Sequence, residues 1–287
     1  MRAMAIGRDR VTANGLSFEY RHAGDPDGRL ALCLHGFPDD AGSFDPLLER
    51  LSAAGYRAVA PYMRGYGPTD RAPNGDYSAG ALGRDALALA GELDGGDDDP
   101  VLVGHDWGAA AGYVAAYRAP DAFGDYALLS VPPHFGHRLR EHPRQRLRSW
   151  YMYLFQTPGT ERLVRAADFA LIEFLWGTWS PGWDYPEERI EDVKGTLRSP
   201  GTVTAALEYY RQSPPYRTVD AEPAPTPVDA LLAVGARDGC IAPALFRDAG
   251  EGIAGDCRVL EVQEAGHFLH AERPGVLAEE LLAWFER

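Results

Sequence analysis

An α/β fold is predicted for this chain, with a mostly parallel central sheet flanked by helices and interrupted once by a long helical insertion. Short apolar runs alternate with amphipathic stretches up to residue 131 and again from residue 226, the rhythm of strands joined by crossover helices. That rhythm fails between Pro132-Pro133 and about Pro225, where Arg, Tyr and Trp are abundant in helix-compatible stretches and no convincing strand occurs. The interruption is roughly 90 residues, far too long for a plain loop. A length of 287 residues suits one core domain carrying such an insertion. The expected division is therefore core over 1–131, helical insertion over 132–225 and core again over 226–287.

The elements follow in order. Leu16-Ser17-Phe18-Glu19-Tyr20 alternates apolar with polar and reads as an edge strand. Leu30 to Leu34 is a short buried strand ending in His35-Gly36-Phe37-Pro38. Residues 43–54 look helical, with Leu47, Leu48 and Leu51 on one stripe. Tyr56 to Pro61 is another strand, followed by the turn-rich Arg64-Gly65-Tyr66-Gly67-Pro68-Thr69-Asp70. Ala79 to Leu93 is helical, and the acidic loop Gly95-Gly96-Asp97-Asp98-Asp99 leads into the apolar strand Val101-Leu102-Val103. Residues 107–118 form a helix and Tyr126 to Val131 a strand. A proline-rich joint, Ala221 to Pro227, closes the insertion. Val228 to Val234 and Arg258 to Val262 resume the strands, and the amphipathic helix Val276 to Phe285 follows. No internal repeat is visible.

Composition narrows the function. A net charge of −14 disfavours nucleic acid and anionic membranes as partners. No apolar stretch approaches the ~18 residues that cross a bilayer, and MRAMAIGRDR has no apolar core of a secretory signal. Cys33, Cys240 and Cys257 are odd in number and lack a CxxC spacing, against a disulfide framework or a zinc site. A reduced, cytoplasmic setting is expected. Lys194 is the only lysine among the basic residues. That bias fits a GC-rich coding sequence as well as a salt-rich cytoplasm.

The most informative segment is Val101 to Ala110. Gly104 and Gly108 flank Asp106 two residues away on either side, between a strand and a helix. Small residues at that spacing permit a sharp strand-to-helix turn that exposes the central side chain. Serine is usual at such a turn; here a carboxylate stands. With a pKa of about 4 it is ionised at neutral pH without help from a base. Attack on an acyl carbon would give a high-energy anhydride, whereas attack on a saturated carbon bearing a leaving group gives an ordinary ester. The substitution points away from esterases and peptidases and towards epoxides or alkyl halides. The plainer alternative is an Asp that merely caps its helix.

A base and its orienting acid are expected in the order nucleophile, acid, histidine. Asp238 lies in Gly235-Ala236-Arg237-Asp238-Gly239, at a carboxyl end of the sheet, where open α/β sheets place ligands. His267 lies in Ala265-Gly266-His267-Phe268, just past the next strand. Singly, either is an ordinary turn residue; three candidates at strand ends in the right order form a set.

Across essentially its whole length the chain resembles the α/β-hydrolase superfamily, and most of all its epoxide hydrolases. The matching pieces are His35-Gly36-Phe37-Pro38, Arg64-Gly65-Tyr66-Gly67, Gly104-His105-Asp106-Trp107-Gly108, Asp238 and Gly266-His267. Haloalkane dehalogenases share much of this set. The resemblance implies an α/β-hydrolase fold whose insertion is a helical cap domain. It also implies two cap tyrosines that hold the epoxide oxygen. Tyr151-Met152-Tyr153-Leu154-Phe155-Gln156-Thr157-Pro158-Gly159 is similar to the first tyrosine segment and maps that role onto Tyr151. Leu207-Glu208-Tyr209-Tyr210-Arg211 is similar to the second and maps it onto Tyr210; Tyr153 and Tyr209 are the neighbours to be told apart from them.

On this reading Asp106 attacks an epoxide carbon while Tyr151 and Tyr210 donate to the ring oxygen. His267, oriented by Asp238, then activates water against the resulting ester. The backbone N–H groups of Phe37 and Trp107 form the oxyanion hole, and both residues are also expected to line the substrate site. His35 and Pro38 are expected to fix the loop around Phe37. No metal or organic cofactor is required; the partners are a small epoxide and water, with oligomeric state open. A haloalkane dehalogenase is the alternative, gripping halide with the Trp107 indole and a second Trp from Trp176, Trp179 or Trp183. Against it, Phe37 stands where one dehalogenase group carries Asn, and Trp107 stands where a fluoroacetate-type enzyme carries Arg. A non-catalytic ligand-binding homologue is the second alternative.

Overall fold

A computed structural model of the chain describes residues 5–93, 96, 98–214 and 224–287. Gly95 and Asp97 of the acidic loop, and Ala221 to Pro223 of the proline-rich joint, lie outside the described residues. In chain order the elements are β1 (Gly7–Ala13), β2 (Leu16–Ala23), β3 (Leu30–Leu34), α1 (Asp45–Ala53), β4 (Arg57–Pro61), α2 (Ala79–Leu93), β5 (Val101–His105), α3 (Trp107–Arg118) and β6 (Asp125–Leu129). Six helices follow: α4 (Phe135–Glu141), α5 (Pro143–Arg148), α6 (Trp150–Leu154), α7 (Thr160–Trp179), α8 (Glu187–Arg198) and α9 (Thr202–Gln212). The chain then returns with β7 (Ala230–Gly235), β8 (Cys257–Val262), α10 (Leu269–Glu272) and α11 (Pro274–Phe285).

One eight-stranded sheet has the order β1-β2-β4-β3-β5-β6-β7-β8. The β1–β2 and β2–β4 pairs are antiparallel and every later pair is parallel. This is the α/β-hydrolase fold. Strands β3, β5, β6 and β7 are buried at every position, as parallel strands covered on both faces must be. Outside the sheet, α1 packs against α11 and α2 against α3.

Leu16 to Tyr20 is not an edge. The strand β1 lies outside it, joined through Asn14-Gly15, both at positive φ as a two-residue hairpin turn requires. β1 escaped notice because Arg8, Asp9 and Arg10 are all exposed, so it carries no clean apolar alternation. Such charges also protect an edge from pairing with another chain.

Candidate functional site

Asp106 sits between β5 and α3 at φ 52°, ψ −113°, a backbone conformation rare for a residue with a side chain. The glycines explain how the chain accommodates it. A Cβ on Gly108 would lie 2.0 Å from the Leu34 carbonyl oxygen, and one on Gly104 2.4 Å from that of Gly108. A Cβ on Gly36 would meet Asp106 Oδ1 at 2.3 Å, so the loop after β3 approaches the carboxylate only because it is bare there.

That approach brings the Phe37 N–H to Asp106 Oδ1 at 2.8 Å, and the Trp107 N–H also serves the carboxylate. His35 secures the loop: its Nε2 accepts the Met63 N–H at 3.0 Å, which leaves Nδ1–H to donate to Gly36 O at 3.0 Å. Burial raises the Asp106 pKa to about 6, against the opposing pull of His267 and the two backbone donors. The ordinary value of about 4 taken from sequence is therefore too low. The group still ionises below neutrality.

His267 is fully buried, and its Nδ1 lies 2.9 Å from Asp238 Oδ2. Its Nε2 is 3.8 Å from Asp106 Oδ2 and has no hydrogen-bond partner. Asp238 keeps its other oxygen on the N–H groups of Cys240 and Ile241, at 2.7 and 2.8 Å. Burial alone would lower the His267 pKa; the charge and hydrogen bond of Asp238, with the charge of Asp106, outweigh it and leave it raised. The His267 backbone is also clamped. Its N–H donates to Trp179 O at 3.1 Å, and its carbonyl accepts Ser130 Oγ at 2.7 Å and His105 Nε2 at 2.9 Å.

Tyr151 on α6 and Tyr210 on α9 are both buried, with ring centroids 5.7 Å apart. Tyr210 is edge-on to Trp107 at 5.0 Å and to Phe37 at 5.5 Å, and its hydroxyl makes no close hydrogen bond, the Trp107 indole N–H being the donor that faces it. The Tyr151 hydroxyl lies 3.3 Å from Cys240 Sγ. Burial raises both phenols well above their usual range, so they are neutral donors. Their neighbours are placed elsewhere: Tyr209 donates to Arg64 O at 2.8 Å, and Tyr153 is 39% exposed.

Asp106, Trp107, Tyr151 and Tyr210 line one small cavity of about 70 Å³. Phe135, Met152, Trp107, Ala110 and Val131 border both this cavity and an adjoining, largely apolar chamber of about 300 Å³. Of the tryptophans in the helices between β6 and β7, Trp176 has committed its indole N–H to Pro38 O at 2.7 Å. Trp183 stacks on Trp176 at 5.3 Å, and the Trp179 ring lies 4.8 Å from Tyr151 and 5.1 Å from His267. Trp107 Nε1 is buried and faces the Tyr210 hydroxyl without a close hydrogen bond.

Sequence reasoning missed the polar group behind the nucleophile. Asp39, His105 and His270, all buried, bring one ligand atom each within 4.8 Å of one another, the arrangement among the described residues with metal-ligand character. His270 Nε2 is already 2.9 Å from Ser43 Oγ and 3.4 Å from Asp39 Oδ2, so protein partners occupy that nitrogen. Asp39 directly follows the HGFP segment and His105 lies within GHDWG, the one signal that could have drawn attention to them. Ser130, Gln145 and Cys240 have no motif at all. Among the described residues no helix is long and apolar enough to cross a membrane.

A family model described as "Alpha/beta hydrolase family" matches residues 31–280. Epoxide hydrolase 3 of Xenopus tropicalis is 31% identical over 278 residues, covering 93% of this chain and 74% of that protein. The crystal structure of epoxide hydrolase VrEH1 from Vigna radiata superposes with a TM-score of 0.80 at 25% identity, over 98% of each chain. A Bacillus megaterium epoxide hydrolase in complex with an inhibitor gives a TM-score of 0.83 at 22% identity, over 97% of this chain and 100% of that one, a likeness of fold.

Proposed function

Because the chain belongs to the alpha/beta hydrolase family and, within it, to the epoxide hydrolases, we propose that it converts an epoxide to a vicinal diol through a covalent ester on Asp106. The observation that carries this mechanism is the convergence, on one small cavity, of a buried carboxylate with the hydroxyls of Tyr210 and Tyr151. His267 Nε2, 3.8 Å from Asp106, stands ready beside them.

Asp106 Oδ2 attacks an epoxide carbon and the carbon–oxygen bond opens. An alkoxide is a poor leaving group, so Tyr151 and Tyr210 donate to the ring oxygen and supply the proton that makes it a hydroxyl. The product of this step is a hydroxyalkyl ester. His267, held by Asp238, takes a proton from water, and the hydroxide adds to the Asp106 carbonyl carbon. The oxygen that accepts the Phe37 N–H in the free enzyme becomes the oxyanion, so its donors are in place before charge develops. Collapse expels the diol oxygen, which takes the proton back from His267; the proton that the added hydroxide leaves on the Asp106 carboxyl returns to the phenolate left by ring opening, so that carboxylate and phenol are both restored. Helices α4 to α9 serve as the cap that closes this chemistry off from bulk water, and the apolar chamber takes the epoxide's apolar substituent. For a halide grip Trp176 is unavailable, its indole being spent on Pro38, and the second donor would have to be Trp179, whose ring lies beside Tyr151 and His267.

Two measurements test this. Styrene oxide should yield diol while 1-bromobutane releases no bromide. A single turnover with excess enzyme in ¹⁸O-water should place the label in the Asp106 carboxylate and leave the diol unlabelled. Label in the diol alone would mean direct attack by water and would overturn the ester.

A further inference from the structure

The two cap phenols have different neighbours. The Tyr210 hydroxyl faces the Trp107 indole N–H, whereas Tyr151 faces the Cys240 thiol at 3.3 Å, both side chains being buried. We propose that Cys240 is a positioning residue for ring opening: its S–H donates to the Tyr151 oxygen and leaves the phenol O–H aimed at the epoxide oxygen. The inference rests on the assignment of Tyr151 as a donor to that oxygen.

A hydroxyl carries one hydrogen and two lone pairs. If Tyr151 gives its hydrogen to the epoxide, its buried oxygen still needs a donor, and Cys240 supplies one. Donation into a phenol oxygen also polarises its O–H and makes it a stronger donor in turn. Burial raises the Cys240 thiol well above its ordinary range, so the hydrogen is present on sulfur at working pH.

The thiol is held in register by the loop that carries the acid. The Cys240 N–H donates to Asp238 Oδ1 at 2.7 Å, and its carbonyl accepts Gln145 Nε2 at 2.8 Å. Gln145 Oε1 takes the Ala242 N–H at 2.9 Å, and Arg148 donates to the Asp238 carbonyl at 2.6 Å. Gln145 and Arg148 belong to α5, the helix directly before the one that bears Tyr151. One short loop therefore aligns two parts of the machinery: the acid behind His267 and the phenol across the cavity from it.

Stopped-flow rates of ester formation and ester hydrolysis with styrene oxide test this in the full chain. Cys240→Ala should slow ester formation about fivefold, the scale of one neutral hydrogen bond, and leave ester hydrolysis unchanged. Cys240→Ser, which restores an O–H donor and guards against a simple packing defect, should return the rate to within about twofold of the parent. In a Tyr151→Phe background Cys240→Ala should have no further effect. The proposal fails if Cys240→Ala forms ester at the parental rate while Tyr151→Phe is impaired. It fails equally if Cys240→Ala slows both backgrounds alike, or slows ester hydrolysis as well. An unimpaired Tyr151→Phe would instead remove the Tyr151 assignment, and this proposal with it.

Discussion

At the scale of single residues, the charge on Asp106 and the proton on His267 govern each other. Burial sets the Asp106 pKa at about 6, and in the proposed mechanism only the ionised carboxylate attacks. Ester formation should therefore rise with pH through about 6 and level off above it. His267 must be neutral to take a proton from water, and its pKa in the free protein is raised in part by the Asp106 charge. The proposed esterification would abolish that charge. The His267 pKa should then fall in the intermediate, freeing the base at the moment it is needed. Asp106→Asn, which mimics the uncharged ester, should show a lower His267 pKa by NMR than the parent; an unchanged value would contradict this coupling. Asp106, Asp238 and His267 were legible in the sequence because each stands in a glycine-marked turn at the end of a strand. The upward shift of Asp106 was not, since it arises from burial contributed by residues distant in sequence.

At the scale of elements, the turn from β5 into α3 is built by absent side chains. Gly108→Ala would drive a Cβ to 2.0 Å from the Leu34 carbonyl, inside a strand buried at all five positions. The sheet cannot give way there, so the variant should lose about 3 kcal/mol or more in urea unfolding. Gly136, in α4, has nothing within 4 Å of its added Cβ. Gly136→Ala should be neutral or stabilising by up to about 1 kcal/mol, as expected at an open helical site. Equal effects would show that crowding at the turn is not what selects glycine. Leu30–Leu34 was readable as a short continuous apolar run, and Ala79–Leu93 and residues 107–118 as helical stretches; all three fall where predicted. The end of β6 was not. Apolar character continues to Val131, but Ser130 turns to φ 63° to place its Oγ on the His267 carbonyl, which ends the strand at Leu129.

At the scale of the whole molecule, the helices between β6 and β7 hold the loop that carries the Phe37 amide. Arg189 on α8 pairs with Asp40, with Asp39 at 3.8 Å, and Thr196 donates to Asp40 at 2.6 Å. Trp176 on α7 reaches Pro38 in the same loop. These contacts join residues well over 100 positions apart, and each partner alone looks like an ordinary surface charge or aromatic. That is why the insertion could be seen in the sequence while its grip on the core could not. Asp40 is only 2% exposed, so removing Arg189 strands a carboxylate away from water. Arg189→Leu should cost about 3 kcal/mol in urea unfolding, and the loss should persist in about 1 M KCl because a buried pair is poorly screened. Arg258→Ala, which removes an exposed pair with Glu280, should cost under about 1 kcal/mol, with that cost vanishing in salt. Asp40 also caps the turn at Ala41–Phe44, three residues beyond Phe37. Arg189→Leu should therefore lower the rate of ester hydrolysis, which in the proposed mechanism depends on the Phe37 N–H, more than the rate of ester formation. A variant that loses stability but keeps the parental ratio of the two rates would show that the helices merely cover the site and do not hold its oxyanion donor.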